Sequence, residues 1–147
     1  MASDGRVTEE DTVFSDSLQK IFRLKDGSLL GTSGDADDRT LVELFNKQKK
    51  FPSHRQFANL GLEFEAIHVS QNGEISIVAS AKEKDKDYWT VSLFTFPDTF
   101  VAIGSGRAYA IGAMARGATA EQAVKVAIKY TTTCGGKIQK VKLIEQN

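Results

Sequence analysis

One stretch, residues 100–136, constrains this chain more than any other. It reads FVAIGSGRAYAIGAMARG and then ATAEQAVKVAIKYTTTCGG. Residues 100–103 are apolar without a break and predict a buried strand, because no polar face is left for solvent. The run stops at Gly104-Ser105-Gly106, where small residues let the backbone turn sharply and expose the N–H groups of a new helix. A second helix follows Gly117. Thr119 is its expected N-cap, and Ala120, Ala123, Val124, Ala127 and Ile128 fall at i, i+3, i+4, i+7 and i+8. Cys134-Gly135-Gly136 is the expected stop of that helix, with a final strand beyond it. Strand, tight turn, paired helices and strand is a layered arrangement, and the rest of the chain must supply the layers.

A length of 147 residues predicts one domain, 1–147, with room for a real core. Lys+Arg and Asp+Glu are equal at 19 each, so no net field draws the chain to nucleic acid or to an acidic membrane surface. Its one cysteine excludes a disulfide framework within the monomer and suits a reducing compartment. No apolar run approaches the roughly 20 residues of a membrane span. The opening MASDGRVTEEDTVFSD is acidic and lacks the apolar core of a signal peptide, so a cytoplasmic protein is expected.

In chain order, residues 9–16 are polar and predict a loop. Residues 19–24 alternate, placing Lys20, Phe22 and Leu24 on one face of a strand. If that face is the buried one, Lys20 carries its charge inward. Lys25-Asp26-Gly27 is a turn signal, and residues 28–32 complete a hairpin. Residues 35–50 read as an amphipathic helix, with acidic residues in the first turn, an apolar stripe of Leu41, Leu44 and Phe45, and lysines at the end. Residues 51–60 contain Pro52 and read as an irregular connection. Residues 63–69 and 74–79 flank Asn72-Gly73, the strongest hairpin signal in the chain. Residues 82–87 alternate in sign as a solvated turn does, residues 87–94 read as a further strand, and Pro97 interrupts it. Residues 137–144 predict a half-exposed last strand. Antiparallel hairpins with helices grouped between them predict an α+β fold.

Local chemistry narrows the candidate sites. Gly104-Ser105-Gly106 is no dinucleotide fingerprint, since Tyr109 stands where its third glycine belongs. Ser105 lacks a nucleophile elbow, because Ile103 occupies the first glycine position. His54 and His68 have no ligand spacing around them. Cys134 has no C-x-x-C partner and fits a small residue at a helix end as readily as a thiol nucleophile. Lys20 supports two readings: a strand lysine that snorkels to solvent, or a desolvated lysine that assists a nucleophile, with Asp4 as counter-charge.

Taken together and in order, these segments resemble the proteasome β-subunit and HslV-like family of N-terminal-nucleophile hydrolases. Residues 2–8, ASDGRVT, resemble that family's A-x-D-x-x-x-T strand, and Lys20 falls at the family's active-site lysine. Gly31, ahead of Thr32-Ser33-Gly34, matches the glycine whose N–H forms the oxyanion hole. LVELF at 41–45 resembles the first long helix. AIGSG with Tyr109-Ala110 is the most specific match and places Ser105 at the active-site serine. TTTCGG at 131–136 resembles the family's D-x-x-S-G-G segment, so Thr131 and Cys134 occupy the aspartate and serine positions of the catalytic group.

The resemblance implies a four-layer αββα sandwich of two antiparallel sheets, assembled into a homo-oligomeric ring that encloses the active sites. It implies a threonine-type peptidase acting on peptide or unfolded protein, with an ATP-dependent unfoldase among its partners, no cofactor and no metal. The nucleophile in such a family is the hydroxyl of an N-terminal threonine, with its own α-amine as general base. Lys20 would lower the hydroxyl's pKa and the Gly31 N–H would hold the oxyanion. Three departures stand out. The chain is expected to start after the nucleophile, with Ala2 exposed once Met1 is removed. Thr131 replaces an aspartate, and Cys134 replaces a serine. A catalytically inactive subunit, serving as scaffold or regulator, is the alternative.

Overall fold

The computed structural model describes residues 1–34, 38–48, 50–96 and 100–144. The chain forms two compact units, Met1–Phe22 with Asp98–Lys142, and Arg23–Pro97 with Leu143–Asn147.

The second unit is a five-stranded antiparallel sheet carrying two helices. Its strands, β4 (Ile21–Arg23), β5 (Leu29–Gly34), β6 (Phe64–Val69), β7 (Ile75–Lys82) and β8 (Trp89–Phe96), lie side by side in sequence order. The chain passes from one unit to the other within β4. Both expected hairpins form. Leu24 and Ser28 close the first, and Asn72-Gly73 turns the second, with Gly73 at φ 86° and Val69 opposite Ile75. The solvated turn after β7 also forms, with Asp85 at φ 62°.

Register explains the core. Thr32, Ala66, Val78 and Leu93 lie in one row across the sheet, and Phe64 and Ser80 in the next. Helix α1 (Asp38–Lys47) buries Leu41 and Phe45, and α2 (His54–Ala58) buries Phe57, in one cluster with Leu24, Leu30, Phe64, Ala66 and Val78. The opposite face carries Ile67, Ile77 and Phe94 in a single row. A sheet apolar on both faces is built to be covered on both. The stripe expected on α1 is present, while Asp35, Asp37 and Lys49, counted in that expectation, lie outside the described residues, as does Pro97. Residues 51–60 are not the irregular connection expected. Ser53 and Gln56 form a capping box that starts α2 directly after Pro52.

The first unit holds β1 (Ala2–Ser3), β2 (Val7–Glu9), β3 (Thr12–Ser15), α3 (Arg107–Ala115), α4 (Ala120–Tyr130) and β9 (Gln139–Lys140). Strand β1 pairs antiparallel with β9, and β2 with β3. Residues 9–16 are therefore part of a hairpin rather than a loop. Strand β3 is so exposed, with Phe14 at 65%, that no apolar alternation marks it. Residues 100–103 are half-buried but join no ladder among the described residues, against the expected strand. An unbroken apolar run reports burial, not pairing. Thr119 caps α4 as expected, in a capping box with Gln122, and Ala123 and Ala127 are its buried face. The helix ends at Tyr130, four residues before Cys134, because Thr131 turns extended at φ −128° and ψ 140°. The last strand is shorter than expected, pairing only at Gln139–Lys140 before Val141 N–H donates to Met1 O. No helix among the described residues is long and apolar enough to cross a membrane.

His68 ties α1 to the sheet. Its ring stacks on Phe45 at 5.2 Å and 15° and meets Phe51 edge-on at 5.4 Å. Burial pushes the imidazole below its ordinary value of 6.5, against the pull of Asp26 and Glu74. The folded protein thus takes up this proton less readily than the unfolded chain does. The stability linked to His68 is complete above pH 6.5 and falls as pH drops through that value towards the lower folded pKa. His68→Gln is expected to flatten the difference between melting temperatures measured at pH 7.5 and pH 5.5; an unchanged difference would contradict this assignment.

Candidate active site

The candidate residues of the first unit gather where three segments meet: residues 4–6 after β1, residues 16–20 before β4, and residues 131–137 after α4. Asp4 is the hub. Its Oδ1 lies 2.9 Å from Lys20 Nζ, and its Oδ2 accepts the Gly135 N–H at 2.9 Å. Lys20 Nζ also donates to Arg6 O at 2.5 Å. The pair is mostly buried, with side chains 19% and 14% exposed. Partly desolvated charges persist only when paired and hydrogen-bonded, and both conditions are met.

Lys20 reaches this position by a route the alternation did not foresee. It precedes β4 instead of belonging to it, and the buried residues nearby are Ile21 and Leu24, not Phe22. What holds Lys20 is hydrogen bonding from both ends. Its N–H donates to Gln139 Oε1 at 3.2 Å, while Gln139 Nε2 donates to Leu18 O at 2.6 Å. Ser17, Gln19, Ile21, Lys137, Gln139 and Val141 line an open cleft of about 340 Å³ along this seam.

A second group lies at the start of α3. Gly106 caps the helix without a side-chain bond, and a Cβ there would come within 2.8 Å of Cys134 Sγ and 2.9 Å of Ala127 Cβ. Only glycine allows α3 to start this close to α4. Exposed Ser105 accepts from Thr133 Oγ1 at 2.8 Å and sits 3.8 Å from Cys134 Sγ. Thr131 takes a different part: its hydroxyl donates to Ala127 O at 2.9 Å and closes the end of α4. Gly31 lies in the second unit, buried in the interior strand β5 opposite Ile67.

Sequence reading missed two residues of this junction, Arg6 and Asp16. The guanidinium binds the Asp16 carboxylate with two donors, Nε at 2.7 Å and Nη2 at 3.1 Å. That hydrogen bonding holds the Asp16 carboxyl below the usual carboxylate range. The available signal was the density of glycine around them, at 5, 135 and 136. A Cβ on Gly5 would stand 2.7 Å from Asp16 O, one on Gly135 would overlap the Arg6 guanidinium, and one on Gly136 would overlap Asp16 O. Gly136 also has φ 72°. Gly136→Ala is therefore expected to destabilise by about 3 kcal/mol, overpacking added to left-handed strain. Gly112→Ala in α3, where the new methyl meets nothing within 4 Å, should be neutral or stabilising. Thermal melts of the two variants check the contrast.

No family model matches the chain. It is 32% identical, over 123 residues, to the ATP-dependent protease subunit HslV of Anaeromyxobacter sp. (strain Fw109-5), an alignment covering 77% of this chain and 68% of that protein. It is also similar to the crystal structure of eukaryotic HslV from Trypanosoma brucei, with a TM-score of 0.66 and 22% identity, over 94% of this chain and 88% of that one. The structural likeness bears out the expected α+β, N-terminal-nucleophile hydrolase fold. With the identity to the bacterial subunit, it follows that the chain belongs to the HslV family of proteasome-like threonine peptidase subunits.

Proposed function

We propose that this chain is the peptidase subunit of an ATP-dependent protease and cleaves unfolded polypeptide in the cytoplasm, inside a homo-oligomeric ring. The observation that carries the reading is Lys20, mostly buried and held by Asp4 and Arg6 O. A subunit with only a scaffolding task has no use for a desolvated, fixed cation. In this reading the nucleophile is the hydroxyl of an N-terminal threonine, and its α-amine is the general base, since an α-amino pKa near 8 suits proton transfer close to neutrality. Lys20 stabilises the developing alkoxide. Ser105 and Thr133 supply hydroxyls beside the terminal amine. Thr131, occupied with Ala127 O, leaves that amine without the family's carboxylate. Cys134 supports Ser105 in the serine's place.

Assembly is supported by apolar side chains left outside on the paired helices. Tyr109 and Tyr130 stack at 5.7 Å while remaining 44% and 58% exposed, and Ile111 is 40% exposed. Exposed apolar groups on adjacent helices fit an interface between copies.

A form of the protein extended to carry an N-terminal threonine ahead of β1 should be labelled by an epoxyketone at that threonine and should lose peptide hydrolysis on labelling. Lys20→Ala should lower kcat by about a hundredfold or more, the scale of one electrostatic or proton-transfer group. Labelling at any residue within 2–147, or full activity in Lys20→Ala, would overturn the assignment. Light scattering at micromolar concentration should give the mass of an oligomer; a monomer would count against the ring.

A further inference from the structure

Residues 131–137 follow α4 without regular structure of their own until β9 begins. Yet their Gly135 N–H fixes one oxygen of Asp4, and the other oxygen holds Lys20. Main-chain bonds pin the far end of the segment, Gly5 N–H to Gly135 O at 3.0 Å and Lys137 N–H to Asp16 O at 2.9 Å, and something must fix the carbonyls of residues 132–134 as well. Arg6 does so. Its guanidinium lies so close to Gly135 that a Cβ there would push it aside. Nη1 donates to Thr132 O at 3.1 Å and reaches Cys134 O at 3.5 Å. Nε and Nη2 are taken by Asp16. Lys137 N–H in turn donates to Asp16 O at 2.9 Å, so Asp16 holds the segment beyond Gly136 while its side chain orients Arg6. A planar fork with fixed donors suits such a clamp, and a lysine could not reproduce it.

We infer that Arg6 is a positioning residue: braced by Asp16, its guanidinium holds residues 132–135 so that the Gly135 N–H keeps the Asp4 carboxylate on Lys20. The Arg6 main chain already receives a bond from Lys20 Nζ, so one residue touches the lysine through its carbonyl and steers its counter-ion through its side chain. The catalytic consequence rests on the peptidase reading above, but the geometry does not.

The test separates the two. Hydrogen exchange at the Gly135 amide and the nitrogen-15 NMR signals of Lys20 Nζ need no activity. In Arg6→Met the Gly135 amide should exchange at least about tenfold faster, by local opening at unchanged global stability, and the Lys20 Nζ signals should shift or broaden. Arg6→Lys should not restore either readout. Asp16→Asn, which leaves Arg6 in place, should give an intermediate effect and remains informative if Arg6→Met fails to fold. Where peptide hydrolysis is measured, kcat should fall about tenfold or more with KM little changed, since the clamp acts on the lysine and not on substrate binding. Unchanged Gly135 exchange and Lys20 signals in folded Asp16→Asn and Arg6→Met would overturn the inference. Inactive wild-type protein with the exchange effect intact would count against the peptidase reading alone.

Discussion

A single carboxylate with two occupied oxygens organises the site. Asp4 gives one oxygen to an ammonium and the other to a main-chain amide, both at 2.9 Å. The ammonium neutralises the carboxylate in a partly desolvated place, and the amide fixes its direction. Without the Gly135 amide, the second oxygen would keep only the longer bond from the Arg6 N–H at 3.4 Å, and the carboxylate would be less firmly directed at its lysine. Without the lysine, a mostly buried negative charge would be left with neutral donors only, which is the costlier failure. The three glycines around Arg6 and Asp16 have a common purpose in this light. They let the segments carrying Asp4, Lys20 and Gly135 approach closer than side chains would permit.

The rest of the first unit can be read outward from there. Helix α4 has to end early so that residues 131–136 can turn back towards Asp4, and Thr131 ends it by bonding the carbonyl of Ala127 with both its N–H and its hydroxyl. Helix α3 can start close beside α4 because Gly106 leaves room for Cys134 and Ala127. Ser105 and Cys134 are thereby brought together although they are 29 residues apart. The second unit relies on ordinary means, a register that puts Thr32, Ala66, Val78 and Leu93 in one row under two short helices.

How much of this was legible depended on whether the signal was local. Asn72-Gly73, the Thr119 cap and the Leu41-Phe45 stripe each carry their structural cause within a few residues, and each was read correctly. Helix α2 is equally local, in the Ser53–Gln56 capping box, but Pro52 just before it carries the opposite signal, that of a chain break. Residues 100–103 were misread because apolar content reports burial and not pairing. The family pattern pairs Lys20 with Asp4, whereas strand alternation does not account for the inward lysine, since Lys20 lies outside the strand. The Arg6–Asp16 clamp was not legible at all. Its parts lie 10 residues apart and act on carbonyls a further 126 and 128 residues from Arg6, contacts that no periodicity encodes.

The carboxamide of Gln139 has one more consequence. By accepting from the Lys20 N–H and donating to Leu18 O, it spans a gap that a neighbouring peptide group would otherwise fill. Lys20 is consequently tethered at its main chain by one side chain and at its tip by another. A free lysine gives up about 1.5–2 kcal/mol of rotamer entropy when it is immobilised. Here that loss is taken during folding, so no further ordering of the side chain is left for the moment a ligand arrives, and the cation is met already in place.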